Sequence, residues 1–278
     1  MAGLAGKNYT MTQRVQKLVE KSQRSGFFQG KKITLGQRIN WGTVNECWVL
    51  HSEEKQYLAR LGKNLPDEFI RTWQSELKAN QIAAEAGLAP QPIYIDEDSL
   101  AAIYPWCGDP LSQIKLNTEL LKEISNRLSL LHCIESPVHQ IGYRDTIENY
   151  LSIIGKDSKW FEENQIDQPA LLEKADLWDQ SEDIVFCHHD LNPENILWNG
   201  EHCTFIDWEY ARRAHPLFDL ASLSKYFALS DEELDLLLSN YHRQSYFKEQ
   251  VRDAEQMVHS LEQLWLESAR IALFNKDS

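Results

Sequence analysis

Between residues 186 and 210 the chain reads FCHHDLNPENILWNGEHCTFIDWEY, and this stretch restricts the possible folds more than any other. Residues 185–187, 196–198 and 203–206 are short β-type runs. The polar loop 188–195 separates the first two, and Asn199-Gly200, a strong hairpin signal, separates the last two. Asp190 and Asn195 therefore share the loop before the hairpin, while Asp207 emerges where the second hairpin strand ends, so the three can converge on one cleft. Carboxylate and amide oxygens are hard ligands that suit Mg²⁺ shared with substrate phosphates. A remaining carboxylate can accept the proton of an attacking hydroxyl. A satisfied polar turn, with Asn195 capping a strand, would account for any one of these residues alone. Their joint order and spacing favours metal-assisted phosphoryl transfer.

The string CHHDLNPENIL followed by FIDWEYA closely resembles the catalytic segment of choline and ethanolamine kinases, bacterial thiamine kinases and the wider aminoglycoside-phosphotransferase family. Those proteins share the protein-kinase-like fold, so the resemblance implies an α+β, bilobal chain. Its small N-terminal lobe is an antiparallel sheet with one main helix, and its larger C-terminal lobe is mainly helical. The resemblance further implies Asp190 as catalytic base, Asn195 and Asp207 as Mg²⁺ ligands, His188 as a loop brace, and ATP as phosphoryl donor. Asp219, in the HPLFDLA segment, is implied as a second brace under the catalytic loop. Asp-Trp-Glu at 207–209 stands where protein kinases carry Asp-Phe-Gly, which favours the small-molecule branch.

Composition narrows the partners. The 278 residues, 42% hydrophobic and 25% charged, suffice for two lobes of an ordinary globular protein. With 28 Lys and Arg against 42 Asp and Glu the net charge is −14, which argues against nucleic acid, whose phosphates require a basic surface. It fits a small cationic substrate, or solubility alone. Cysteines 47, 107, 133, 187 and 203 make no C-x-x-C pair and no zinc spacing; they are expected as packing residues in a reducing compartment. The N-terminal stretch lacks a signal-peptide core, and no run nears the ~18 apolar residues of a membrane span. A cytoplasmic location without membrane contact is the expectation.

Along the chain, residues 11–25 read as a polar helix, followed by strands ITLGQRI, ECWVLHS and QYLARLG with a turn at 40–45. A helix is expected over about 67–86, with a stripe of Phe69, Trp73 and Leu77, and then strands PIYI and LAAIYPW. Two prolines and a glycine within 105–110 mark a chain break, dividing a nucleotide-binding lobe, 1–106, from a catalytic and acceptor lobe, 107–278. Beyond it, Leu121, Ile124, Leu128 and Leu131 form one helical stripe. Ser230 with Glu233 makes a capping box, and Met257, Leu261, Leu264, Trp265 and Ala272 mark the last helix.

The nucleotide side is less sharply drawn. The segment 40–45, ending at Asn45, lies where the family resemblance puts a phosphate-covering loop, although with one glycine it also suits an ordinary hairpin turn. Arg60 stands where that resemblance puts a phosphate-contacting cation, with Glu76 as its partner and Lys63 as a competitor. Trp106 and Asp109 would edge the adenine pocket. On the acceptor side, Glu209 either meets the substrate or starts a helix, and Tyr226, Phe227, Tyr241, Tyr246, Phe247 and Trp265 supply rings that attract quaternary cations. Each ring taken singly also suits helix packing, Trp265 most of all. The acidic span 162–183 could receive an aminoglycoside's amines, or be a solvated helix face. Choline, ethanolamine or thiamine is the favoured acceptor class. An aminoglycoside phosphotransferase, or a nucleotide-binding regulator without turnover, is the rival.

Overall fold

The computed structural model describes residues 11–39, 45–62, 73–136, 138 and 140–274. The chain divides into two compact units, Met1–Leu65 with Pro90–Cys107, and Pro66–Ala89 with Gly108–Ser278.

The first unit is an antiparallel sheet with a helix on one face. Helix α1 (Met11–Arg24) is followed by β1 (Ile33–Ile39), β2 (Asn45–Ser52), β3 (Lys55–Gly62), β4 (Tyr94–Asp96) and β5 (Ala101–Pro105), in the order β1-β2-β3-β5-β4. All five expected strands are present. Strand alternation decides what each face carries. Ala59 and Leu61 of β3 pack with Leu50, Ile103 and the α1 residues Val15 and Leu18. Leu58 points the other way, into a patch of Ile39, Cys47, Val49 and Trp106. Arg60, two residues along, lies on that second face, opposite Cys47 and Ala102 in the ladder. Lys21 Nζ ties α1 to β4 through Asp96, 2.6 Å away.

The second unit begins with α2 (Trp73–Glu85) and continues with β6 (Asp109–Pro110), α3 (Thr118–His132), α4 (Tyr143–Ile154), α5 (Trp160–Glu163) and α6 (Gln168–Asp179). The short strands β7 (Val185–Cys187), β8 (Ile196–Trp198), β9 (Cys203–Phe205) and β10 (Arg212–Ala214) follow, then α7 (Leu217–Tyr226), α8 (Asp231–Asn240) and α9 (Lys248–Phe274). β6-β8-β9 and β10-β7 are the two small sheets. One apolar core runs through the unit, and the expected stripe Leu121, Ile124, Leu128 and Leu131 is fully inside it. The Ser230–Glu233 capping box is formed at the start of α8. Gly108 has φ +122°, and a Cβ there would lie 2.2 Å from the Trp198 carbonyl oxygen, so this position of the chain break requires glycine.

Two expectations change. The helix placed with the first lobe belongs to the second unit: Ala79 and Ala83 enter its core, and the Leu88 carbonyl accepts the Phe205 N–H at 2.8 Å. Its buried face is Glu76, Ala79, Asn80 and Ala83, whereas Trp73 and Leu77 of the expected stripe are only half-buried and Phe69 lies outside the described residues. Small side chains let the helix approach closely, and an apolarity pattern undercounts them. The expected loop 40–44 and Lys63 also lie outside the described residues. Among the described residues no helix is long and apolar enough to cross a membrane. All five cysteines are free thiols, with Cys47, Cys187 and Cys203 buried; burial pushes the Cys187 thiol up, as befits packing and not nucleophilic chemistry.

Candidate active site

The loop between β7 and β8 is held from beneath. Buried Asp219, in the first turn of α7, accepts the backbone N–H of His188 and of His189, each at 2.8 Å. His132 of α3 meets the same carboxylate at 3.1 Å and the Tyr241 hydroxyl at 2.7 Å through its other nitrogen. His188, fully buried, places Nε2 2.9 Å from the Ile206 carbonyl, tying the loop to the segment that carries Asp207. Burial lowers the His188 pKa and keeps the ring neutral, so Nε2–H donates.

Above this base lies Asp190. Asn195 Nδ2 donates to Asp190 Oδ2 at 2.7 Å and to its carbonyl at 2.9 Å, and Asn192 Nδ2 donates to Oδ1 at 3.1 Å. Loss of hydration, then the neighbouring Asp207 charge, push the Asp190 carboxyl up to about 7, against the lowering effect of the two amides. Because Asn195 spends its nitrogen on Asp190, its Oδ1 is the atom left for another partner.

Asp207 has φ +67° and opens the short helical turn Trp208–Tyr210, which packs on α2. This packing brings Glu76 and Glu209, both buried, together with Asp207, with one carboxylate oxygen of each within 4.8 Å of the others. These three oxygens make a donor set that fits a hard cation such as Mg²⁺, which would offset their mutual repulsion. Glu76, expected as the partner of Arg60, thus belongs to the unit and side-chain group of Asp207. Arg60 is half-buried on β3 of the other unit, Asn45 opens β2 opposite Gly62, and Trp106 covers the Ile39–Cys47–Val49 patch. Asp109 is exposed on β6.

Of the six C-terminal aromatics singled out, Tyr226 is the one whose ionisation registers Asp190. Its pKa is raised by burial, then by the Glu262 and Asp190 charges. Tyr210 is raised by burial, then by Glu209, Tyr150, Asp190 and Asp207. Tyr210 is a neighbour of the Asp190 and Asp207 charges that sequence spacing did not single out. Tyr241 and Tyr246 go to structural partners, His132 and Asp183, and Phe247 is exposed. Trp265 departs from its buried neighbours Leu261 and Leu264: it is half-buried, and its enclosed Nε1–H has no hydrogen-bond partner among the described residues. Part of the acidic span is engaged within the fold. Asp167 caps α6, Asp179 accepts the Tyr143 and Arg144 N–H groups, and Asp183 pairs with Arg243.

A model of the phosphotransferase enzyme family matches residues 36–255. Protein LicA of Haemophilus influenzae is 32% identical over 213 residues, covering 73% of this chain but 62% of LicA, so the match spans less than two thirds of that relative. A probable ethanolamine kinase A of Dictyostelium discoideum is 24% identical over 267 residues, covering 85% of this chain and 74% of that protein. Among solved structures, the choline kinase LicA of Streptococcus pneumoniae superposes with a TM-score of 0.69 at 21% identity, covering 91% of both chains, a likeness of fold.

Proposed function

The chain belongs to the phosphotransferase enzyme family, and on that premise we propose that it transfers the γ-phosphoryl group of ATP to the hydroxyl of a small cationic alcohol, choline ahead of ethanolamine or thiamine. The observation that carries this reading is Asp190, a carboxylate raised to about 7 and aimed by two amide donors. A base of that pKa is about half ionised at neutral pH and is matched to taking up a hydroxyl proton there. The alcohol oxygen forms its bond to the γ-phosphorus as the bond to the β,γ-bridging oxygen breaks. ADP departs with that electron pair, and the alcohol proton passes to Asp190. Mg²⁺ at Asn195 Oδ1 and Asp207 supplies charge neutralisation to the phosphates when bound, with Glu76 and Glu209 beside it. On the first unit, Arg60 serves as the phosphate cation, Asn45 as part of the phosphate loop, and the apolar patch under Trp106 as the base-stacking surface.

The acceptor class is supported by Tyr210 and Tyr226, whose ionisation registers the Asp190 charge, and by buried Glu209 beside Tyr210. With Trp265 as a further ring, they offer faces and negative charge that attract a quaternary or protonated nitrogen at ~0.5–2 kcal/mol per ring. The names of the relatives, ethanolamine kinase and choline kinase, point the same way. The test is to incubate the protein with Mg-ATP and choline, ethanolamine, thiamine and aminoglycosides, following phosphorylated products by mass spectrometry. Phosphocholine is expected. Phosphorylated aminoglycoside alone would move the assignment to the antibiotic branch. ATP binding without turnover of any acceptor would favour the regulator, against which the joint presence of Asp190, Asn195 and Asp207 argues.

A further inference from the structure

His189 has no part in the chemistry above, yet it is among the most constrained residues of the catalytic loop. Its backbone lies in the left-handed region at φ +69°, an uncommon conformation for any residue but glycine, though asparagine, aspartate and histidine adopt it more than others. The imidazole stacks on Phe218 with centroids 3.6 Å apart and planes at 8°. Its Nε2 lies 2.6 Å from Arg212 Nη2 and 3.2 Å from the Tyr143 hydroxyl. A guanidinium only donates, so the ring accepts at Nε2 and is neutral. Arg212 is itself buried, with 6% exposure, its other terminal nitrogen on Thr146 Oγ1 at 3.1 Å and its carbon 4.8 Å from the Tyr143 ring centroid.

Two of these anchors lead to the same place, while Arg212 on β10 and Tyr143 on α4 hold the ring from the other side. Phe218 immediately precedes Asp219, which holds the His188 and His189 N–H groups, so the backbone and side chain of His189 are both fastened to the start of α7. Asp190 is the next residue. A rotation about the 189–190 peptide would swing its carboxylate off the acceptor hydroxyl.

We propose that His189, clamped between Phe218 and Arg212, is a positioning residue that sets the direction of the Asp190 carboxylate. This rests on Asp190 being the base. The experiment compares His189→Ala, His189→Gly, His189→Asn and Arg212→Gln in kcat, KM for nucleotide and Tm, using Mg-ATP and choline, or the panel alcohol phosphorylated in its place. The Ala and Gly variants are expected to lose about tenfold to a hundredfold in kcat with KM for nucleotide unchanged, as misdirected catalytic groups do. Gly, free of the left-handed strain, should melt above Ala without recovering kcat. Asn, which tolerates that backbone and offers Arg212 an amide oxygen, should recover part of it. Arg212→Gln should lower kcat similarly, and adding it to His189→Gly should cost little more. Wild-type kcat in His189→Gly, or kcat that simply tracks Tm across the series, would overturn the clamp. Asp190→Asn keeps the two readings apart: full turnover in that variant removes the base itself, whereas an inactive Asp190→Asn beside an unimpaired His189→Gly removes the clamp alone.

Discussion

Asp190 is where neighbouring side chains decide the chemistry. Asp190→Asn should lower kcat by about 10²–10⁴-fold while leaving nucleotide affinity near wild type, read by turnover assay and calorimetry. Unchanged turnover would remove it as base. A second expectation concerns pH. The Asn192 and Asn195 amides stabilise the ionised carboxylate, so Asn192→Ala should raise its pKa further from about 7. The base works deprotonated, so this variant should lose more activity at pH 7 than at pH 8.5, and an equal loss at both would contradict the account. Asp190, Asn195 and Asp207 were legible in the sequence because one short segment carries all three. The nearness of Tyr226 to Asp190 and of Arg212 to His189 was not, because helices and strands arriving from elsewhere in the chain create it.

At the scale of elements, the caps and turns carry measurable weight. Ser230 accepts the Glu233 N–H while Glu233 accepts the Ser230 N–H, so Ser230→Ala should destabilise the chain by ~1 kcal/mol and lower Tm without altering turnover. Gly108→Ala should be more damaging, since it combines a left-handed φ with a Cβ driven into the Trp198 carbonyl. Loss of the β6–β8 pairing should show as faster amide exchange at Trp198, and unaltered exchange would count against the clash. The strands, the hairpin at Asn199-Gly200 and the long apolar helices follow from alternation and helical spacing. Helix α2 was expected, but its buried face was not, because that face is Glu76, Ala79, Asn80 and Ala83. Periodicity registers large apolar residues, and here the closeness of packing chose small ones and a carboxylate.

At the scale of the whole molecule, titration and metal binding bear on stability. His188 and His215 both have pKa values lowered by burial below the ordinary 6.5. As pH falls past 6.5 the unfolded chain takes up these protons before the folded one does, so stability present above 6.5 is lost progressively below it. Thermal denaturation between pH 7.5 and 5.5 should show a falling Tm, and replacing His215 with Gln should flatten the decline; an unaltered slope would acquit that group. Mg²⁺ should raise Tm and EDTA reverse the rise, since a cation bound only by the folded carboxylate group stabilises it by mass action. Asp207→Asn should blunt that response. By itself the sequence determined the five strands of the first unit, the hairpin at Asn199-Gly200, the helices α3, α8 and α9, the family, and the three residues of the candidate catalytic segment, because alternation, helical period and a contiguous motif are all local. Tertiary structure alone decided that Glu76 joins Asp207 and Glu209, that Tyr226 and Tyr210 register the Asp190 charge while Tyr241 goes to His132, and that His189 is held by Arg212. Those relations depend on which faces of distant elements meet, and burial sets their charge states only after they have met.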